Sequence, residues 1–206
     1  MARCHWDIEQ HSPEWYAIKA GKWSASNAAK IMGGLETIGL ASLIQDVAWE
    51  RVFGPVKGDR FTSAAMQRGT ELEPESRDCY AFEHDVTVRQ CGFVEHAGIQ
   101  HVGWSPDGMV TDKRAIEAKN PGHRAWMEVK RTARIPSEYR WQTKWAMWVG
   151  ELDALDFVVY RPESGLIVIP ASVTDDEKAQ MAERVAALEK KVSEWVSIIT
   201  TERIAA

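Results

Sequence analysis

The chain has 206 residues, 45% hydrophobic and 27% charged, a composition that supports an ordinary folded core without disulfide or metal staples. Its apolar runs are only a few residues long, and the opening Met1-Ala2-Arg3-Cys4-His5-Trp6-Asp7 has no apolar core, which argues against a membrane span or a secretory leader. Twenty-five Lys and Arg against 30 Asp and Glu leave a net charge of −5, unlike a protein that coats nucleic acid with its whole surface, and the three scattered cysteines (Cys4, Cys79, Cys91) suit a reducing, cytoplasmic setting.

Ser12-Pro13 reads as a cap and first helical residue, with Trp15 and Ile18 continuing at helical spacing, and Ser24-Ala25-Ser26-Asn27 reads as a second helix start. A longer helix is predicted from Thr62 to about Glu83. Met66, Gly69, Glu73 and Tyr80 share one stripe of it, whereas Glu71, Glu75 and Asp78 fall on the opposite side. Pro74 predicts a kink just after Glu73. Between Asp85 and Lys119, β-rich runs at Val86–Val88, Phe93-Val94, Met109–Thr111 and Ala115-Ile116 alternate with turn signals, which reads as a meander of three or four strands.

Helices are predicted from His123 to Arg134 and from Glu138 to Val149, then strands at Asp156–Tyr160 and Leu166–Ile169 around a Pro-Glu-Ser-Gly turn. The tail, about 174–200, is a helix opened by a Thr174-Asp175-Asp176-Glu177 capping box, with Met181, Val185, Leu188, Val192, Trp195 and Ile199 as its apolar stripe. No repeat or long linker divides the chain, so one domain over 1–206 is expected. The element order predicts an α/β or α+β architecture with a mixed central β-sheet flanked by helices.

The chemically informative stretch runs from Gly103 to Lys119. Strand alternation puts Glu117 and Lys119 on one face, and a hairpin partner can bring Asp107 beside Glu117. Two carboxylates and an ammonium are the parts needed for metal-assisted phosphodiester hydrolysis, with Mg²⁺ on carboxylate oxygens and the ammonium orienting an attacking water. Taken alone, each element reads as structural, Pro-Asp-Gly as a β-turn and Glu-x-Lys as a solvated ion pair on an exposed face. Lys119 through Lys144 holds seven Lys and Arg against two acids, a local +5 that suits a bounded DNA channel or a solvated helical face. Trp145 and Trp148, in the same window, read as packing residues.

Several motifs in order resemble the lambda-exonuclease-like, YqaJ-type viral recombinase family of phage alkaline exonucleases, which has a restriction-endonuclease-like core. They are Trp15 to Ser26, ending Ser24-Ala25-Ser26; Arg68-Gly69 with Glu73-Pro74; Ser105-Pro106-Asp107-Gly108; Glu117-Ala118-Lys119-Asn120-Pro121; and Tyr139-Arg140-Trp141-Gln142 leading into Met147-Trp148. The resemblance spans 13 to about 162.

The resemblance implies that Asp107, Glu117 and the Ala118 carbonyl are metal ligands and that Lys119 is the water-orienting base. It gives Glu73 and Gln142 supporting roles at the site. It places Lys19 and Ser26 on the 5′-phosphate of a DNA end, and Arg124, from the basic window, is a further candidate DNA contact. It makes Met66 a wedge between base pairs, although simple core filling fits Met66 as well. Arg is usual at the Lys19 position, and Lys lacks its bidentate fork, so weaker discrimination for the phosphate is expected.

The implied activity is a Mg²⁺-dependent 5′ to 3′ double-stranded DNA exonuclease, with two ions per site and Mn²⁺ as a substitute. It would release mononucleotides and leave a 3′ single strand for phage-type recombination. The implied partners are double-stranded DNA ends, a phage single-strand annealing protein and two further copies in a ring-shaped homotrimer, in the cytoplasm of a bacterial host. The alternatives are an endonuclease or RecB-type nuclease of the same superfamily, or a catalytically silent DNA-end-binding module. Iron-sulfur relatives are disfavoured by three dispersed cysteines.

Overall fold

The computed structural model describes residues 1–56 and 64–201; the side chains of 64–66, and with them the Met66 expectation, lie outside the described residues. The strands are β1 (Arg3–His5), β2 (Trp23–Ser24), β3 (Phe93–Glu95), β4 (Val102–Trp104), β5 (Gly108–Thr111), β6 (Arg114–Lys119), β7 (Ala154–Arg161) and β8 (Gly165–Pro170). The helices are α1 (Pro13–Lys19), α2 (Ala28–Ile31), α3 (Ile38–Phe53), α4 (Ala64–His84), α5 (His123–Thr132), α6 (Ser137–Gly150) and α7 (Asp175–Thr200). The class is mixed α/β, as expected, but the strands form two four-stranded mixed sheets, ordered β1-β3-β4-β2 and β5-β6-β7-β8, in place of one central sheet.

That division corrects the predicted meander. β3 and β4 belong to the first sheet, β5 and β6 to the second, and Val86–Val88 forms no strand, being followed only by a bridge between Arg89 and Met109. Ser24 ends β2 instead of capping a full helix; a single 3-10 turn (Ala25–Asn27) intervenes before α2. Pro74 is accommodated inside a continuous α4. The tail stripe also shifts, because Trp195 is 37% exposed while Val196 and Ile199 pack inward. Helix α3 has no counterpart among the predicted elements, although Leu40, Leu43, Ile44, Val47 and Ala48 recur at helical spacing behind a Thr37 cap.

The second sheet positions the candidate site. β6 runs antiparallel to β5 and parallel to β7, with Glu117 opposite Phe157 and Lys119 opposite Val159. A parallel neighbour requires a crossover, and α5 and α6 provide it. Ile116 and Val158 pack against Tyr80 of α4, while Phe157 and Val159 pack with Val129 of α5 and Tyr139 of α6. Helices therefore cover both faces, and Ala115 through Ala118 are all buried.

The first sheet packs into the larger core with α2, α3, α6 and α7. Trp23, Trp104 and Trp145 are essentially inaccessible, and the Trp145 indole donates to Gly103 O at 3.1 Å. A Cβ on Gly103 would lie 2.1 Å from the Phe93 ring, so close strand packing requires glycine there. The expectation that Trp145 and Trp148 pack holds, at 0% and 7% exposure. On α7, Met181, Val185, Leu188 and Val192 are buried, each contributing about 2 kcal/mol of apolar burial. Among the described residues, no helix is long and apolar enough to cross a membrane.

One polar clamp ties α3, β2 and α7 together. Glu189 takes both Arg51 terminal nitrogens, at 2.6 and 2.7 Å, and the Trp23 indole N–H at 2.6 Å, while Arg51 Nε donates to Gly21 O. Burial pushes the Glu189 carboxyl up, but its bonds to Arg51 and Trp23 outweigh that and leave it lowered. A lowered folded value stabilises the fold above the unfolded value of about 4.3, and the contribution is lost as pH falls through the folded value. Glu189→Gln is therefore expected to cost about 1–2 kcal/mol at neutral pH. Urea unfolding of the two proteins should show that difference shrinking in acid; a gap independent of pH would contradict the clamp.

Candidate active site

Hairpin geometry brings the predicted acids together. The Asp107 side chain folds over the edge of β6, where Oδ2 accepts the Ala118 N–H at 2.7 Å. Lys119 and Glu117 project to one face, and Lys119 Nζ donates to Glu117 Oε1 at 2.5 Å and to Ala118 O at 3.1 Å, with Asp107 Oδ2 at 3.7 Å. Gln142, reaching down from α6, also donates to Glu117 Oε1. The Tyr139 ring, one helical turn earlier, lies 5.5 Å from Lys119 Nζ. Asp107, Glu117, Lys119 and Gln142 thus form one constellation, as the motif order predicts.

Glu117 is 1% exposed, and its second oxygen, Oε2, is buried with no hydrogen-bond partner among the described residues. Burial pushes its carboxyl up to about 7, helped by the Asp107 charge and opposed by Lys119. Burial alone would pull the Lys119 ammonium down, but Glu117 and Asp107 dominate and raise it. A buried carboxylate oxygen left without a donor is costly unless a cation completes the site. Among the described residues no three His, Cys, Asp or Glu side chains cluster as a metal site. Two carboxylates with a backbone carbonyl are nevertheless the donor set of Mg²⁺, which retains several waters.

Glu73 enters from α4 through its ion pair with Arg77, one turn on. Burial and the Asp107 charge raise the Glu73 carboxyl to about 7, while Arg77 opposes them. Arg77, only 8% exposed, also donates to Asp107 O at 3.2 Å. The neighbouring Ser76 hydroxyl donates to Asn120 Oδ1, and Asn120 in turn donates to Gly69 O at 3.1 Å. Consecutive residues of α4 therefore hold both arms of the site, the Asp107 turn and the end of β6.

The turn before Asp107 is gripped residue by residue. The Trp15 indole donates to Ser105 Oγ at 2.9 Å, Gln10 Nε2 donates to Pro106 O at 2.8 Å and to Cys91 O at 3.0 Å, and Arg77 takes Asp107 O. Asp107, Glu73, Arg77 and the strap Trp6–His11 line a cleft of about 410 Å³. Gln10 and Arg77 are absent from the predicted site. Arg77 has a sequence signal, its i+4 spacing from Glu73; Gln10 has none, since its partners are distant backbone carbonyls.

The other candidates lie outside this constellation. Lys19 stacks over Trp15 at 4.3 Å and lines a separate cleft of about 540 Å³ with Lys22, Ser24 and Lys30. Ser26 is exposed, its hydroxyl 3.0 Å from that of Ser24. Trp15, which bears on both Lys19 and Ser105, is the link between the two regions. Arg124 is exposed in the first turn of α5, and Lys130, Arg131, Arg134 and Arg140 are exposed along the same crossover.

Because Arg77 opposes the upward shift at Glu73, its removal is expected to raise that carboxyl further. An NMR titration of the Glu73 side-chain carboxyl should show a higher midpoint in Arg77→Met than in the native chain. An unchanged midpoint would contradict the pairing.

The model of the YqaJ-like viral recombinase domain matches residues 14–153. No curated protein is similar enough in sequence to match. Among solved structures, an alkaline exonuclease, LHK-Exo, from Laribacter hongkongensis superposes with a TM-score of 0.81 at 29% identity, covering 91% of this chain and 96% of that one. The same enzyme in complex with dAMP gives 0.82 at 28%, with the same coverage. A phage-related exonuclease from Haemophilus somnus 129PT, at 16% identity and a TM-score of 0.63 over 87% of this chain and 96% of that one, shares the fold. The matched span contains every candidate from Lys19 to Gln142, so the shared family and the assembled constellation concern the same residues, and the chain belongs to the YqaJ-like viral recombinase family.

Proposed function

We propose that this chain is a Mg²⁺-dependent 5′ to 3′ exonuclease of double-stranded DNA, releasing mononucleotides and leaving a 3′ single strand for phage-type recombination by annealing. The observation that carries the reading is the buried Glu117 carboxylate, with one oxygen held by Lys119 and Gln142 and the other without a donor among the described residues. The similarity to an alkaline exonuclease, solved also with dAMP, supports the same class of substrate.

Asp107, Glu117 and the Ala118 carbonyl are the groups that would hold the cation. Bound there, Mg²⁺ or Mn²⁺, one ion or two, would supply charge against phosphate oxygens and lower the pKa of water. Lys119, held protonated by its two carboxylates, orients a water with its N–H groups and offsets charge at the phosphate; it becomes a base only when those carboxylates are engaged elsewhere. Gln142 fixes the Glu117 carboxylate plane, and Glu73, held near 7, is placed to take a proton at the mouth of the cleft. Lys19 and Ser26 would receive the 5′-phosphate, with Trp15 linking Lys19 to Ser105.

Arg124 and the exposed basic side chains of the α5–α6 crossover suit a DNA backbone path. The reading includes one domain over the whole chain, a homotrimeric ring enclosing the duplex, a phage annealing protein as partner, and the bacterial host cytoplasm as location. Exposed Trp49 and Phe53, neighbours on α3 with ring centroids 4.4 Å apart and planes tilted by 45°, fit an apolar contact between copies.

The test is digestion of linear duplex labelled at the 5′ or the 3′ end, with phosphorylated and hydroxyl 5′ ends and a closed circle as separate substrates. Native protein with Mg²⁺ is expected to release the 5′ label first as mononucleotide, to prefer the phosphorylated end and to spare the circle. Lys119→Ala is expected to lose at least about 100-fold in rate. Cutting of the circle would favour the endonuclease, and binding without degradation the silent module.

A further inference from the structure

The second sheet has two edges, and only one of them is guarded. At β5 the register shifts between Met109 and Thr111, and the Arg89 backbone exchanges hydrogen bonds with Met109 at 2.8 Å in both directions. β8, at the other edge, pairs with β7 alone, without a register shift from Arg161 opposite Gly165 to Asp156 opposite Pro170. The N–H and C=O groups that β8 turns away from β7 have no partner among the described residues. Edge strands are ordinarily protected by charge, proline or a bulge, because an open ladder pairs with any extended chain. From Leu166 to Ile169, β8 has none of these.

Its side chains are also those of an interior strand. Leu166 and Val168 pack toward Tyr80, Ile116 and Val158, and Ile167 and Ile169 toward Val129, Phe157 and Val159. All four are only half-buried, so apolar surface on both faces is left for a further strand to cover. Beside the C-terminal end of β8 lies a cleft of about 580 Å³, lined by Ile169 and Ser172 together with Arg134, Ser137, Arg140 and Lys144. Among the described residues no acidic side chain lines it. Lys144 is taken by Glu177 at 2.6 Å, but Arg134 and Arg140 are exposed and form no ion pair among the described residues.

We infer that β8 is a docking edge for an extended segment of a partner protein, which adds as a further strand, covers the apolar residues on both faces and sets acidic side chains against Arg134 and Arg140. Main-chain bonds along β8 supply the affinity, and the cleft supplies the preference for acid. The charge selects this occupant over a second copy. A second copy pairing through its own β8 carries Glu163 in the turn before that strand, and Glu163 is already bound by Arg161, so it brings no free carboxylate to the arginines. Docking at β8 rests on no part of the nuclease reading. Of the basic side chains of the α5–α6 crossover, it takes Arg134 and Arg140 for a protein partner and leaves Arg124, Lys130 and Arg131 for DNA.

The probe is a fluorescein-labelled peptide of alternating Val and Thr that ends in a run of Asp, titrated into the full chain without DNA or metal. Fluorescence anisotropy is expected to saturate, and hydrogen–deuterium exchange to slow at residues 166–169 and not in β5. Replacing the Asp run by Lys is expected to abolish binding, as is N-methylation of one of the peptide's two sets of alternate backbone amides. Arg134→Glu with Arg140→Glu is expected to weaken binding at least about tenfold. No saturation, equal binding by both N-methylated peptides, or equal affinity of the double variant would each overturn the proposal. Slow exchange at 166–169 in the free chain that is lost on dilution would give the edge to a second copy, and displacement of the peptide by duplex DNA would give the arginines to the phosphate backbone; either result overturns it as well.

Discussion

The structure turns on a carboxylate placed where water cannot reach it. Glu117 sits mid-strand in β6 with helices on both faces, and a charge in such a place must be paired or it unfolds the element that carries it. Lys119 and Gln142 satisfy one oxygen, and the other has no partner among the described residues. α6 lies across this face and supplies Gln142, and the turn preceding β5 folds back over the strand edge so that Asp107 accepts the Ala118 N–H.

Precision at the Asp107 turn comes from outside it. Trp15, Gln10 and Arg77 arrive from three separate segments to hold Ser105, Pro106 and Asp107 in succession, and Ser76 secures the far arm through Asn120. Each grip is a hydrogen bond of modest net value, about 1 kcal/mol. Their effect is geometric, since together they fix where the Asp107 carboxylate sits relative to the adjacent Lys119 ammonium. The N-terminal strap therefore belongs to the site as much as β6 does.

Legibility in the sequence followed the range of the interactions. Glu117 and Lys119 on one face follow from strand periodicity, the capping box of α7 from four adjacent residues, and the convergence of Asp107 from a short hairpin. The family resemblance supplied Gln142 and Glu73, which no local pattern ties to the site. The two-sheet division escaped because β1 and β2 are three and two residues long, too short for any alternation to show, and are defined by partners some 80–90 positions away. Gln10 escaped because its partners are main-chain carbonyls, which carry no residue identity. Helix α3 was legible in its buried Leu and Val spacing, and Trp195 was misplaced because positions 195 and 196 both continue a helical stripe from Val192.

The central claim is that the orphaned oxygen of Glu117 marks a cation site. Calorimetric titration of the folded protein with Mg²⁺ and then Mn²⁺, in the native chain and in Glu117→Gln, measures it directly and without reference to turnover. The account predicts saturable binding in the native chain and a loss of at least about tenfold in affinity in the variant, with its fold unchanged by circular dichroism. Equal affinity in the two proteins would contradict it.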